Sequence, residues 1–173
     1  MSFTGSVPVG KHLQKLAAEN MIRCTMELGG HSPLMVFNDT DIEKAAKISV
    51  AGKFRNAGQV CVSPTRFLVQ DYIIDKFTQA VIRETNNIKV GNGLDDDTNM
   101  GPLIAERRID VMNDFVKDAI DSGANIEMGG NRMNRDGSFF SPTIMTDVDD
   151  SAKIMNEEPF GPLLPIDTFK SVD

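Results

Sequence analysis

Short strand-like runs alternate with helix-length amphipathic stripes along this sequence, and that alternation most constrains what it can fold into. From Ile22 to Leu28 the chain places Ile22, Cys24, Met26 and Leu28 on one face and Arg23, Thr25 and Glu27 on the other, the period of a half-buried strand. Glu27 therefore faces away from Cys24. Gly29-Gly30 breaks this strand, and Pro33 to Phe37 reads as a short buried strand that ends at the turn-forming Asn38-Asp39. Thr40 and Glu43 have the spacing of a capping box, in which the hydroxyl and the carboxylate satisfy orphan amides at a helix start. The helix they open carries Ile42, Ala45, Ala46, Ser49, Val50 and Phe54 at helical spacing and is predicted to end near Asn56-Ala57-Gly58, with Gly58 as the left-handed cap. Arg66 to Gln70 is strand-like, and Asp71 is predicted to cap a helix that buries Ile73, Phe77, Ala80, Val81 and Ile88. A third helix follows Pro102, with Ile109, Met112, Val116, Ala119 and Ile120 inward and Gly123 closing it, and the apolar runs around Ile126, Ile144 and Leu164 supply further strands. This order predicts an α/β fold, a layered and largely parallel sheet with flanking helices.

A length of 173 residues suits one domain, or one domain with part of another. Eighteen Lys and Arg against 25 Asp and Glu give a net charge of -7 with no basic cluster, so nucleic acid and anionic membrane are not expected partners. No apolar run approaches the roughly 20 residues that span a bilayer. Two cysteines, Cys24 and Cys61, are not a disulfide framework; a reducing, cytoplasmic setting is expected, with Cys24 a structural residue on its strand face. The ten Met residues are expected to be adaptable core filler. Asp95-Asp96-Asp97, without spaced His or further ligands, reads as a solvated loop, and no metal site is expected.

Cys61 stands in Gly58-Gln59-Val60-Cys61, just past a helix end, where a side chain can emerge at the edge of a sheet. A thiolate there would be a strong nucleophile given help to ionise; a buried structural Cys is the other reading of the residue taken alone. Glu27 precedes a Gly pair that lets backbone approach closely, so it reads either as a general base or as an exposed strand residue. His31 would serve a Cys-His pair only within hydrogen-bond reach of Cys61. The stretch from Gly5 through Gly10 to Lys11-His12 nearly matches a phosphate loop, but His12 stands where a hydroxyl should hold magnesium. Gly5, Ser6 and Gly10 still suit a phosphate contact at the start of the helix containing Leu13, Leu16 and Ala17.

Taken in order, five motifs resemble the aldehyde dehydrogenase superfamily: Phe3-Thr4-Gly5-Ser6 with Gly10, Glu27-Leu28-Gly29-Gly30, Gly58-Gln59-Val60-Cys61, Gly101-Pro102-Leu103-Ile104, and Glu157-Glu158-Pro159-Phe160-Gly161-Pro162. The resemblance covers essentially the whole chain. It implies that Cys61 attacks an aldehyde, that hydride passes to NAD or NADP to leave a thioester, and that Glu27 activates the water that hydrolyses it. It implies that the Cys61 amide is one oxyanion donor. It also implies that Gly5, Ser6 and Gly10 lie beside the cofactor pyrophosphate, Thr4, Leu28 and Gly29 near the nicotinamide, Glu158 on the nicotinamide ribose hydroxyls and Phe160 close to that ring.

The run from Lys53 to Gln59 is similar to that of succinate-semialdehyde and 2-oxoglutarate-semialdehyde dehydrogenases, which implies that Arg55 grips a distal substrate carboxylate; pairing with a nearby acidic residue is the other reading of Arg55. Ser63 stands where some of those enzymes carry a second Cys. The resemblance assigns residues 1–29 to the tail of an NAD(P)-binding domain and 30–173 to a catalytic domain truncated at its C-terminal end, a piece of a parent that forms a dimer or tetramer. The alternative is a catalytically inactive fragment or interaction module with at most residual thiol esterase activity.

Overall fold

A computed structural model describes residues 1–172. The chain divides into two compact units, Met1–His31 and Ser32–Asp173.

The first unit is one strand-helix-strand crossover. Strand β1 (Ser2–Gly5) leads through Ser6 into helix α1 (Val7–Ala18), and the chain returns as β2 (Thr25–Leu28) parallel to β1. Pro8 sits in the first turn of α1, where a missing amide costs nothing. Gly10 is buried because α1 lies directly on β2, and a Cβ there would stand 2.7 Å from Leu28 Cδ2. The expected strand starts three residues late: Ile22 is exposed, and Cys24 precedes β2, half-buried, with its thiol donating to Ile22 O at 3.6 Å. Cys24 is thus not a core strand residue.

The second unit is built on a five-stranded sheet in the order β3-β4-β7-β6-β5. Its strands are β3 (Pro33–Val36), β4 (Arg66–Gln70), β5 (Asn125–Met128), β6 (Thr143–Thr146) and β7 (Leu163–Phe169). All neighbours are parallel except β5 against β6. Leu163, Leu164, Pro165 and Ile166 are all buried, as expected of a central strand covered on both faces. Pro165 is tolerated there because β7 changes partner at that point: Leu163–Pro165 pairs with β6, and Ile166–Phe169 pairs with β4. Strand β3 is an edge strand with Pro33 and Met35 exposed, so it is half-buried rather than buried.

Helices α2 (Ile42–Phe54), α3 (Ile74–Thr85), α4 (Glu106–Asp121) and the short α5 (Lys153–Asn156) complete the unit. The α2 cap differs from the expected box. Asp41 is the N-cap, its Oδ1 accepting from Lys44 N at 3.1 Å, while Glu43 pairs with Arg83 of α3 at 2.6 Å. The Asp41 carboxylate accepts from the third amide, and Thr40 lies outside the helix. Asp71 opens a single 3-10 turn before α3 instead of capping it, Ile88 lies beyond α3, and Ile120 is exposed. Met100, Met112, Met145 and Met155 fill the core, whereas Met21 and Met35 are exposed. Among the described residues no helix is long and apolar enough to cross a membrane, and no three His, Cys, Asp or Glu side chains gather as metal ligands.

Candidate active site

In the first unit the candidates stand at the carboxyl ends of two parallel strands. The register sets Thr4 opposite Glu27 and Gly5 opposite Leu28, with Gly29 one residue further. Glu27 and Thr4 are exposed and Leu28 is half-buried. Ser6 is the extended N-cap of α1, and its side chain makes no cap bond. The first turn of α1 leaves amides without intrahelical partners at the positive end of the helix dipole, a suitable seat for an anion.

In the second unit the nucleophile candidate lies on an overdetermined turn. Helix α2 stops at Phe54, and Asn56, Ala57 and Gly58 follow with φ of 50°, 54° and 71°. Two of these three left-handed residues carry a Cβ, at about 1–2 kcal/mol each. Local bonds hold the reversal. Gln59 N and Gln59 Nε2 both donate to Asn56 O at 3.1 Å, and Asn56 Nδ2 donates to Gln59 O at 3.0 Å. Gln59 also reaches the Pro102 segment, its Oε1 accepting from Ile104 N at 2.9 Å and its Nε2 donating to Pro102 O at 3.4 Å. Gly58 backs onto the Gly161 carbonyl so closely that no Cβ fits. Cys61 and Val62 are the exposed residues of the next turn, closed by Ser63 N donating to Val60 O at 2.9 Å. The buried Ser63 hydroxyl donates to Lys53 O at 3.3 Å and ties the turn back to α2.

Arg55, the α2 C-cap, is exposed and joins no ion pair among the described residues. The Glu157–Pro162 segment is held from α4: Arg108 donates to Pro159 O at 2.5 Å and to Phe160 O at 3.3 Å. Phe160 is left-handed at φ 43° with its side chain partly exposed, and Gly161 leaves room for Met112. Glu158 is half-buried, and its charge acts on two cations. Burial and then Arg107 hold Arg108 below its ordinary range, with Glu158 opposing. Burial pushes Lys53 down to about 7, again with Glu158 opposing. Lys53 is fully buried, and among the described residues its Nζ has no hydrogen-bond partner.

Three motifs separated in sequence, at 58–61, 101–104 and 157–162, thus form one cluster of loops in the second unit. Lys53 and Arg108 were absent from the sequence-derived candidates. Lys53 had a visible signal, since it falls on the same helical stripe as Ala46, Ser49 and Val50. Arg108 had none, because its bonds are to distant backbone carbonyls.

The profile of the aldehyde dehydrogenase family matches residues 1–173. The chain belongs to the aldehyde dehydrogenase family. It is 41% identical over 170 residues to the succinate-semialdehyde dehydrogenase [NADP(+)] GabD of Escherichia coli, covering 98% of this chain and 35% of that protein. It is 39% identical over 170 residues to a glutarate-semialdehyde dehydrogenase of Pseudomonas putida, again across 98% and 35%. Among solved members of the family, an E. coli NADP-dependent enzyme superposes with a TM-score of 0.96 at 41% identity, covering 98% of this chain and 35% of that one. The betaine aldehyde dehydrogenase of Staphylococcus aureus in complex with NAD+ gives 0.94 at 42% identity, over 98% and 34%. The chain therefore spans about a third of the length of these relatives.

Proposed function

We propose that this chain carries the nucleophile, the base and part of the cofactor seat for NAD(P)-dependent oxidation of an aldehyde to a carboxylic acid. The observation that carries this reading is the Cys61 turn, where a strained, multiply bonded backbone presents an exposed thiol. Strain held in this way is characteristic of residues that serve chemistry. The Cys61 thiolate adds to the carbonyl carbon, the carbonyl π pair moves to oxygen, and a thiohemiacetal forms. The Cys61 amide, which donates to no backbone acceptor among the described residues, is one donor for that oxyanion.

In the first unit the free first-turn amides of α1, opened by Gly5 and Ser6, are the seat for a dinucleotide's pyrophosphate, with Gly10 letting α1 pack on Leu28, and Thr4, Leu28 and Gly29 are neighbours of the ring. In the second unit Glu158 is a two-oxygen acceptor for ribose hydroxyls and Phe160 a neighbour of the ring. When bound, NAD or NADP supplies the hydride acceptor that converts the thiohemiacetal to a thioester. Glu27 then takes a proton from water as the water oxygen bonds to the acyl carbon, and the collapsing tetrahedral adduct expels the Cys61 thiolate with the acid as product. We assign residues 1–29 to the cofactor side and 30–173 to the catalytic side of such an enzyme, in which subunits associate and the substrate is a small aldehyde.

Arg55, exposed and outside any ion pair, is the anchor for a distal carboxylate on the substrate. The names of the succinate- and glutarate-semialdehyde relatives support that substrate class. In an enzyme of the relatives' length carrying this sequence, Cys61→Ala abolishes nicotinamide reduction with succinate semialdehyde; retained turnover ends the proposal. Arg55→Ala lowers kcat/KM for the semialdehyde more than for an uncharged aldehyde of similar length, and an equal loss on both removes the carboxylate role. The chain assayed by itself separates oxidation from the lesser activity of an incomplete site, since hydrolysis of an activated ester by Cys61 requires no dinucleotide.

A further inference from the structure

Lys53 is a costly side chain in the second unit. It lies on the last turn of α2 with no exposed surface and, among the described residues, no hydrogen-bond partner for Nζ. A buried cation of this kind is destabilising unless an opposite charge stands near it, and an apolar residue would pack there without that cost. Among the described residues, the carboxylate that acts on it is Glu158, the residue assigned above to the ribose hydroxyls. The turn that follows α2 and the Glu157–Pro162 segment are in direct contact, because Gly58, five residues past Lys53, lies against Gly161. Arg108 of α4 reaches the same segment through Pro159 O and Phe160 O and feels the same carboxylate.

We propose that Lys53 is a positioning residue for Glu158: buried behind the nucleophile turn, its ammonium holds the Glu158 carboxylate in place, so the set of the Glu157–Pro162 segment depends on whether Lys53 carries its proton. Arg108 fixes the backbone of that segment permanently, while Lys53 fixes the side chain conditionally. The charged groups that reach the pair are Glu158 on the segment and Arg108 on α4, with Arg107 beside Arg108. Arg108 keeps its charge throughout the neutral range, which leaves Lys53, pushed down to about 7 by burial, as the group that changes state there. The functional weight of this arrangement rests on the ribose reading of Glu158; the coupling itself does not.

The test is an NMR titration of the full chain from acid to alkaline pH, with lysine side chains labelled at Cε and the backbone labelled with 15N. Lys53→Met, close in shape and without charge, assigns the Lys53 signal. Lys53 is expected to titrate near neutrality, the amides of Glu158 and Gly161 to follow the same midpoint, and that amide transition to vanish in Lys53→Met. Glu158→Gln, which keeps the shape, is expected to lower the Lys53 midpoint by roughly half a pH unit or more. A Lys53 midpoint unmoved by Glu158→Gln, or segment amides that do not titrate with Lys53, overturns the proposal. Adding NAD or NADP to the same samples separates the two readings. If the amides track Lys53 but Glu158→Gln leaves the dinucleotide-induced shifts unchanged, the positioning role stands and the ribose role falls.

Discussion

Gly58 and Gly161, more than one hundred positions apart, meet so closely that a Cβ built on Gly58 would stand 2.1 Å from the Gly161 carbonyl oxygen. Gly58 also holds φ at 71°, a region that side chains avoid. Gly58→Ala combines a left-handed penalty with an overpacked contact, and is expected to cost about 2–5 kcal/mol in urea denaturation. Gly161→Ala is expected to fail through a different neighbour, since its Cβ would strike Met112 Sδ. Truncation of Met112 in the Gly161→Ala background should therefore recover part of that loss, and it should recover none of the Gly58→Ala loss.

Gln59 is the hinge pin of the nucleophile turn, because one side chain bonds both Asn56 within the turn and Ile104 in the facing loop. Gln59→Ala leaves the Ile104 amide without its acceptor. We expect a stability loss of about 1–2 kcal/mol and faster amide hydrogen exchange at Ile104 and across Asn56 to Cys61. Exchange unchanged at Ile104 would mean that the bond carries no load.

The cap of α2 gives a sharp contrast between adjacent residues. Asp41→Ala removes the acceptor for Lys44 N and is expected to cost about 0.5–2 kcal/mol. Thr40→Ala removes no such bond and should change the midpoint of thermal unfolding little. Equal losses in the two variants would restore Thr40 as the cap.

That contrast also marks where sequence reading reaches its limit. The order of strands and helices was legible because long apolar periods at β4, β7, α3 and α4 admit one reading each. Asp41 and Thr40 are neighbours with similar capping chemistry, so periodicity cannot choose between them. β1 was passed over as a strand because four residues carry too little pattern. Within the site, the short motifs around Cys61, Pro102 and Glu158 were legible as motifs. Their convergence in the second unit was not, because Arg108 and Gln59 join distant segments through backbone carbonyls and amides that leave no compositional trace. Lys53 was passed over for a simpler reason: a lysine in an amphipathic helix is ordinarily assigned to the solvent face, yet this one occupies a core position.

Burial of Lys53 has a stability consequence that can be measured independently of any activity. Its pKa falls from 10.5 to about 7 on folding, so between those values the unfolded chain binds more proton than the folded one. Stability contributed by this group therefore rises with pH from about 7 towards 10.5, and the destabilisation is fully present below that window. The full linkage amounts to about 5 kcal/mol as an upper measure. Lys53→Met abolishes it, so the variant should be more stable than the parent near pH 6, with the difference shrinking steadily towards pH 10 as the parent recovers (both ends set by the window about 7 to 10.5). Comparing the two proteins at each pH cancels the titration of groups that Lys53 does not influence. A difference that does not vary with pH would show that Lys53 is charged to the same degree folded and unfolded, and with it the buried, conditionally charged state on which its positioning role depends would be lost.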